Sequence, residues 1–293
     1  MNLPEEVRKA GGTIGRLAVS AGRWLSGRAR AERDEPVIGL AMGGGFARGI
    51  AHLGVLRVLE ENRIPVHSIA GVSAGAMVAA AWASGADSHE IEKIAKAMRF
   101  QDIARWTLSR LGLVTSERML SFLKRLLKVY SFEEMRLPLA VVATDLRTGH
   151  PVTFRDRGDA LMPIRASCSY PGLFLPVQQN GRFLVDGAIS MDVPAEAVRR
   201  LGATRVVSVA LQAPGTVSDP RNMMQVVNRC FQILQGQTER EWRRSSDLVI
   251  EPDVSDFAWD SFGSSAALID AGRKAAEAAL PLILKWSSAA TAA

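Results

Sequence analysis

Apolar and polar positions along this 293-residue chain change period several times, and each change marks an element. VIGLAM, residues 37–42, is a short unbroken apolar run of the kind that a strand buried on both faces needs, and GGG follows it directly. The next stretch, ARGIAHLGVLRVLEEN, spaces its apolar residues as one face of a helix. The succession then repeats, with VHSIAG as the strand, a turn at Ser73, and AMVAAAWASG as the helix. Two strand–turn–helix units in a row predict a sheet with parallel strands and helices packed on its faces. Both turns then emerge at the C-terminal edge of that sheet, where sites form in open α/β folds.

Residues 87–135 read as consecutive helices, among them EIEKIAKAM and RMLSFLKRLLKVY, with no strand pattern between them. They predict a helical layer or cap inserted between sheet strands. Strand patterns return in LAVVATDL, PVTF, RFLVDGA and RVVSVAL, with the turn NGR introducing the third. The tail from Ser264 to Trp286 has helical spacing and is expected to pack on a sheet face. No repeat or low-complexity linker breaks the region, so residues 36–293 read as one α/β domain.

Residues 1–35 stand apart. Between Val7 and Ala31 lie six basic residues (Arg8, Lys9, Arg16, Arg23, Arg28, Arg30) and no acidic one, while Ile14, Leu17, Ala21, Trp24 and Leu25 recur at helical spacing. A basic helix with an apolar stripe suits an anionic membrane surface. Gly11, Gly12, Gly15 and Gly22 weaken that helix, which leaves open a solvated or docked extension.

Composition narrows the class. The hydrophobic share of 47% and charged share of 23% fit a globular protein with a substantial core. The net charge of +6 would suit nucleic acid or a membrane, but the basic residues are scattered and not interleaved with aromatics, which argues against nucleic acid. The two cysteines, Cys168 and Cys230, have neither metal-site nor disulfide spacing. With no apolar run long enough to span a bilayer and no signal-peptide pattern, the expectation is a cytoplasmic protein, soluble or peripheral at the inner membrane surface.

GVSAGA, residues 71–76, carries the spacing G-x-S-x-G around Ser73. In a chain with 25 Gly this spacing alone decides little, but here it falls on a strand-to-helix turn, where a serine oxygen stands exposed. Serine needs a base to accept its proton. All four histidines, His52, His67, His89 and His150, precede the best acid candidate, so a triad in the order Ser, acid, His is disfavoured. A carboxylate acting directly on the serine remains. Asp186 in LVDGAISMDVP follows a strand and precedes Gly187, and burial would raise its pKa towards a useful value. An aspartate before glycine also starts ordinary turns. Gly43, Gly44 and Gly45, ahead of a helix, can aim backbone N–H groups at one oxyanion. GGGFARG lacks the Lys-Ser/Thr of a phosphate loop and the third glycine of a dinucleotide loop.

Taken in order, GGGFARGIAHLGVLRVLEE, IAGVSAGAMVAA, LAVVATDLRTG, IRASCSYPGLFLPV and LVDGAISMDVP resemble the patatin-like phospholipases, in particular the bacterial branch similar to the catalytic domain of neuropathy target esterase. The resemblance covers about residues 37–285. It implies a three-layer α/β/α fold with a mainly parallel sheet, and hydrolysis of fatty-acyl ester lipids through an acyl-enzyme, with no cofactor and no metal. It implies Ser73 as nucleophile, Asp186 as general base and Gly43–Gly45 as oxyanion loop. Arg48 matches the basic residue of that loop and would support either the loop or an anionic substrate. Two rivals stay open: a lipid acyltransferase, and a catalytically idle membrane-associated regulatory protein with the same fold.

Overall fold

The computed structural model describes residues 36–211, 219–258 and 260–289. The basic stretch over 7–31, and with it the division at residue 35, lies outside the described residues. In chain order the strands are β1 Ile38–Met42, β2 Val66–Val72, β3 Arg105–Trp106, β4 Val114–Thr115, β5 Leu139–Asp145, β6 Pro151–Arg155, β7 Val177–Gln179, β8 Arg182–Asp186, β9 Arg205–Val209 and β10 Leu248–Ile250. The α-helices are α1 Ala51–Glu61, α2 Ala74–Ala83, α3 Ser88–Ala97, α4 Phe100–Ile103, α5 Glu117–Leu126, α6 Leu161–Ser167, α7 Ala195–Arg200, α8 Met223–Arg244 and α9 Ser265–Ala289.

Eight strands form one sheet, running β10-β9-β1-β2-β5-β8-β7 with β6 also paired to β5. The pairs from β10 to β5 are parallel, and those of β6, β7 and β8 are antiparallel. This is the mainly parallel sheet expected from the repeated strand–turn–helix units, because a helix between two strands returns the chain to the starting edge.

The registers along β5 carry a further consequence. Leu139–Val142 of β5 pair with β2, Ala143–Asp145 pair with β8, and Ala140–Thr144 pair with β6. A strand residue has one neighbour on each side, so β6 occupies one edge of β5 while β2 and β8 share the other. On that shared edge β2 runs up to Val72 opposite Val142, and β8 runs down to Asp186 opposite Ala143. The two strands therefore meet end to end.

Small residues on the sheet let helices approach closely. On one face Ala41, Ala70, Val72, Ala140 and Val142 pack with Ala195, Ala197 and Val198 of α7 and with Phe231 and Trp242 of α8. On the opposite face α2 lies over β2 and β5, α6 lies over β5, and α1 and α3 pack against α2. Helix α9 crosses α1 at Gly54 and Gly272. The fold is thus three layers of α/β/α, as the resemblance implies.

One expectation fails. The continuous helical reading of residues 87–135 is interrupted by a β-hairpin, with Arg105 opposite Thr115 and Trp106 opposite Val114. Its far strand is held by non-local main-chain bonds, from the Leu113 and Val114 amides to Leu173 O and from the Leu175 amide to Val114 O. Such partners do not show in a local pattern. The helical expectation holds on either side, in α3, α4 and α5.

Candidate active site

Ser73 ends the run of β2 and begins α2 with φ 53° and ψ −124°, a left-handed conformation that costs a non-glycine residue energy and persists only where surroundings enforce it. The enforcing bonds are plain. Its amide donates to Ser167 Oγ at 2.8 Å, and the Ser167 hydroxyl donates in turn to Val142 O at 2.6 Å. Its carbonyl accepts from the amides of Ala76 at 2.9 Å and Met77 at 3.2 Å. The Cys168 thiol reaches the same carbonyl at 3.2 Å. The flanking glycines answer a steric need, since a Cβ on Gly71 would stand 2.5 Å from Ala76 Cα and one on Gly75 2.4 Å from Met42 O. The elbow can be this tight only without those side chains.

Asp186 reaches the serine because β2 and β8 meet on one edge of β5. Its carboxylate accepts from the Ala188 amide at 3.0 Å, and the Ser73 side chain stands close enough to lower its pKa. Its own amide donates to Ser169 O at 3.0 Å, and its carbonyl accepts from Thr144 Oγ1 at 2.9 Å. Burial pushes this carboxyl up to about 7; the Ala188 hydrogen bond and the nearby Ser73 side chain pull it down, and the nearby Asp192 adds a smaller upward push. Asp192, itself buried, accepts from Gln235 Nε2 at 2.7 Å. A carboxylate held near neutrality against a serine hydroxyl has the proton affinity to act as its base.

The glycine loop passes over the serine: a Cβ on Gly44 would lie 3.7 Å from Ser73 Cβ. Its three amides are not equivalent. Gly43 N–H donates to Val209 O at 3.0 Å and Gly44 N–H to Asp192 O at 3.2 Å, whereas Gly45 N–H has no partner among the described residues. Of the three donors expected, two are already engaged by main-chain carbonyls, and Gly45 alone keeps its amide for another acceptor.

His52 buttresses this loop from beneath, its Nε2 lying 2.9 Å from Gly43 O. Full burial lowers its pKa to about 4, so it is neutral; with Nε2 donating, Nδ1 is left without a partner. His67, His89 and His150 are exposed and bond neither Ser73 nor Asp186. Arg48 donates through Nε and Nη2 to Phe257 O at 2.9 and 2.7 Å, tying the loop to the segment before α9. Burial lowers its pKa. Of the two roles foreseen for Arg48, loop support is the one with bonds behind it.

Beside Ser73 lies an apolar cavity of 30 Å³, with Phe46, Met77, Met98, Cys168 and Phe174 in its walls. A second cavity of 50 Å³ shares Phe46, Met77, Met98 and Phe262 with it and extends to Ile91, Phe122 and Leu126. Met98 also borders an outer groove of 530 Å³, whose rim carries Glu90, Lys93, Arg125 and Lys128. The cap helices α3 and α5 thus build a chain of apolar spaces leading away from the serine. Among the described residues no three His, Cys, Asp or Glu side chains converge as metal ligands do.

Several residues that shape the site carried no individual signal. Ser167 and Cys168 sit in the quoted stretch IRASCSYPGLF without an assigned role, and Asp192, Gln235, Met98 and Phe262 arrive from other elements. Only the fold brings them together.

The sequence model of the family described as patatin-like phospholipase matches residues 40–199. An NTE family protein of Mycobacterium tuberculosis is 32% identical over 203 residues, covering 67% of this chain and 56% of the relative. The chain therefore spans little more than half of that relative's length. Neuropathy target esterase sws of Drosophila melanogaster is 31% identical over 198 residues, covering 64% of this chain and 13% of that protein. Among solved structures, VipD from Legionella pneumophila aligns with a TM-score of 0.51 at 15% identity, covering 86% of this chain and 67% of VipD, a likeness of fold.

Proposed function

The chain belongs to the patatin-like phospholipase family, and on that premise we propose that it is a serine esterase of the phospholipase or lysophospholipase type, working through Ser73 and Asp186. The observation that carries the reading is the Ser73 side chain set beside a buried carboxylate whose pKa stands near neutrality, at the mouth of an apolar cavity. In the first half-reaction Ser73 Oγ attacks the acyl carbonyl as Asp186 takes its proton. The Gly45 amide stabilises the oxyanion, and α2, starting at the nucleophile, adds the positive end of its dipole. As the tetrahedral intermediate collapses, Asp186 returns the proton to the leaving alcohol, and the acyl group stays on Ser73. Water, deprotonated by Asp186, then attacks the acyl-enzyme ester; the bond from the acyl carbon to Ser73 Oγ breaks, Asp186 returns the proton to that oxygen, and the fatty acid leaves.

The cavity at the serine, 30 Å³, is of the size that holds about two waters, so a long acyl chain needs the shared wall to open. Met77 and Met98 form that wall, and unbranched methionines rearrange at low cost. The chain would then continue between α3 and α5.

The direct test is labelling with a fluorophosphonate together with turnover of a short-chain ester. Ser73→Ala should lose both, with turnover down about 10⁴- to 10⁶-fold, and Asp186→Asn should lose nearly as much turnover. Near-normal turnover in Asp186→Asn would remove the dyad. Product analysis with an added alcohol acceptor separates hydrolase from acyltransferase. A wild-type protein that neither labels nor turns over any acyl ester would leave only the idle regulatory reading.

A further inference from the structure

Among the described residues, the β3–β4 hairpin presents a run of apolar side chains to solvent. Trp106 is 72% exposed, Leu108 107% and Leu111 61%, and Leu113 is exposed beside them. Arg105 and Arg110 are the charged residues of the stretch 104–116, and Arg105 forms an exposed ion pair with Glu117 at 3.6 Å. The root of the hairpin, by contrast, belongs to the wall of the serine pocket. Ile103 before β3 and Met119 after β4 line the cavity at Ser73, as does Phe174. Main-chain bonds fasten β4 to residues 173–175, and a Cβ on Gly112 would stand 2.9 Å from the Phe174 carbonyl carbon. On the other side of this segment Gly172 approaches Val227 of α8, whose neighbours Met223 and Val226 are also exposed. A tryptophan at the end of β3 and leucines in the loop, with Arg110 between those leucines, match a lipid interface, where indole and alkyl groups enter the acyl boundary and a guanidinium group meets anionic headgroups.

We propose that the hairpin Arg105–Thr115 is a membrane-docking device that inserts Trp106, Leu108 and Leu111 into an anionic bilayer surface and holds the Ser73 pocket against it. The inference rests on the lipid-hydrolase reading for its purpose, but its test does not. The probe is co-sedimentation of the full chain with vesicles of phosphatidylcholine and phosphatidylglycerol, alongside turnover of a soluble short-chain ester. The triple variant Trp106→Ser, Leu108→Ser, Leu111→Ser should bind the vesicles at least tenfold more weakly and hydrolyse vesicle phospholipid correspondingly less at low lipid. Its turnover of the soluble ester should equal that of the wild type, since none of the three side chains lines the pocket. Brominated acyl chains should quench fluorescence in the wild type, and Trp106→Phe should remove part of that quenching. Equal vesicle affinity in wild type and triple variant overturns the proposal. So does a vesicle-free dimer that the triple variant dissolves into monomers, since the tip would then be an interface between copies. Weakened vesicle binding in a protein whose wild type hydrolyses no ester supports the docking role while refuting the proposed function.

Discussion

At the scale of single residues, the site keeps a carboxylate where ionisation is costly. Asp186 ionises at about 7 in the fold against 3.8 ordinarily, chiefly through burial. Below 3.8 it is protonated in both the folded and unfolded chains and burial exacts no ionisation cost. As pH rises the unfolded chain ionises first, so the folded state loses stability until the pH passes about 7, by about 4 kcal/mol in all. Catalysis by the free carboxylate runs the opposite way: kcat/KM of a soluble ester should rise with pH through a midpoint near 7. Asp186→Asn cannot ionise. Urea unfolding should therefore show this variant gaining on the wild type by about 3 kcal/mol between about pH 5 and about pH 8.5. A pH-independent difference would mean that the carboxyl titrates normally in the fold. Ser73 and Asp186 were both readable as candidates, because each sits in a local strand-to-turn pattern. Ser167 was not, because its value lies in bridging the Ser73 amide and Val142 O, groups far from it in sequence.

Among elements, the crossing of α1 and α9 tests whether packing or propensity governs a helix glycine. A Cβ on Gly272 would stand 1.9 Å from Ala51 O, and one on Gly54 2.0 Å from Ile269 O. Both obstacles are backbone, which yields only if the helices separate. Gly272→Ala should therefore destabilise by about 1–3 kcal/mol, although propensity alone favours alanine. Gly236 in α8 is the control, being exposed with no atom near its Cβ position. Gly236→Ala should stabilise by up to about 1 kcal/mol. Thermal unfolding of the two variants reads both signs, and stabilisation in both would show that the α1–α9 crossing is loose. The apolar spaces between α3 and α5 make a second prediction. Met98 borders all three of them, so Met98→Ala should shift ester preference towards longer acyl chains, as measured by kcat/KM across a chain-length series. An unchanged profile would place the acyl chain elsewhere.

For the whole molecule, attachment to lipid has two candidate sources with different physics. The segment over residues 7–31 offers six positive charges, each contributing about 1 kcal/mol near an anionic surface and screened beyond about 10 Å at 0.1 M salt. The hairpin offers mainly apolar insertion, which salt leaves in place. Removing residues 1–35 should thus weaken binding to anionic vesicles at low salt, flatten the salt dependence and leave soluble-ester turnover nearly unchanged. Equal co-sedimentation of full-length and shortened chains across a salt series would make the segment a structural extension or a contact for another protein. Among the described residues no helix is long and apolar enough to cross a membrane.

By itself the sequence determined the parallel β1 and β2 with their following helices, the serine elbow, the strand leading to Asp186 and the long C-terminal helix. These rest on short-range periodicity and on turn chemistry, which a linear pattern contains. Only the tertiary structure decided that β2 and β8 meet end to end on β5, which sets two distant motifs side by side. It alone raised the pKa of Asp186, since burial is a property of everything packed around a group. It also separated the three loop amides by giving two of them carbonyl partners from distant segments, and it made a hairpin of residues read as helix. In each of these cases the deciding partner is supplied by chain closure over long separations, which no window along the sequence contains.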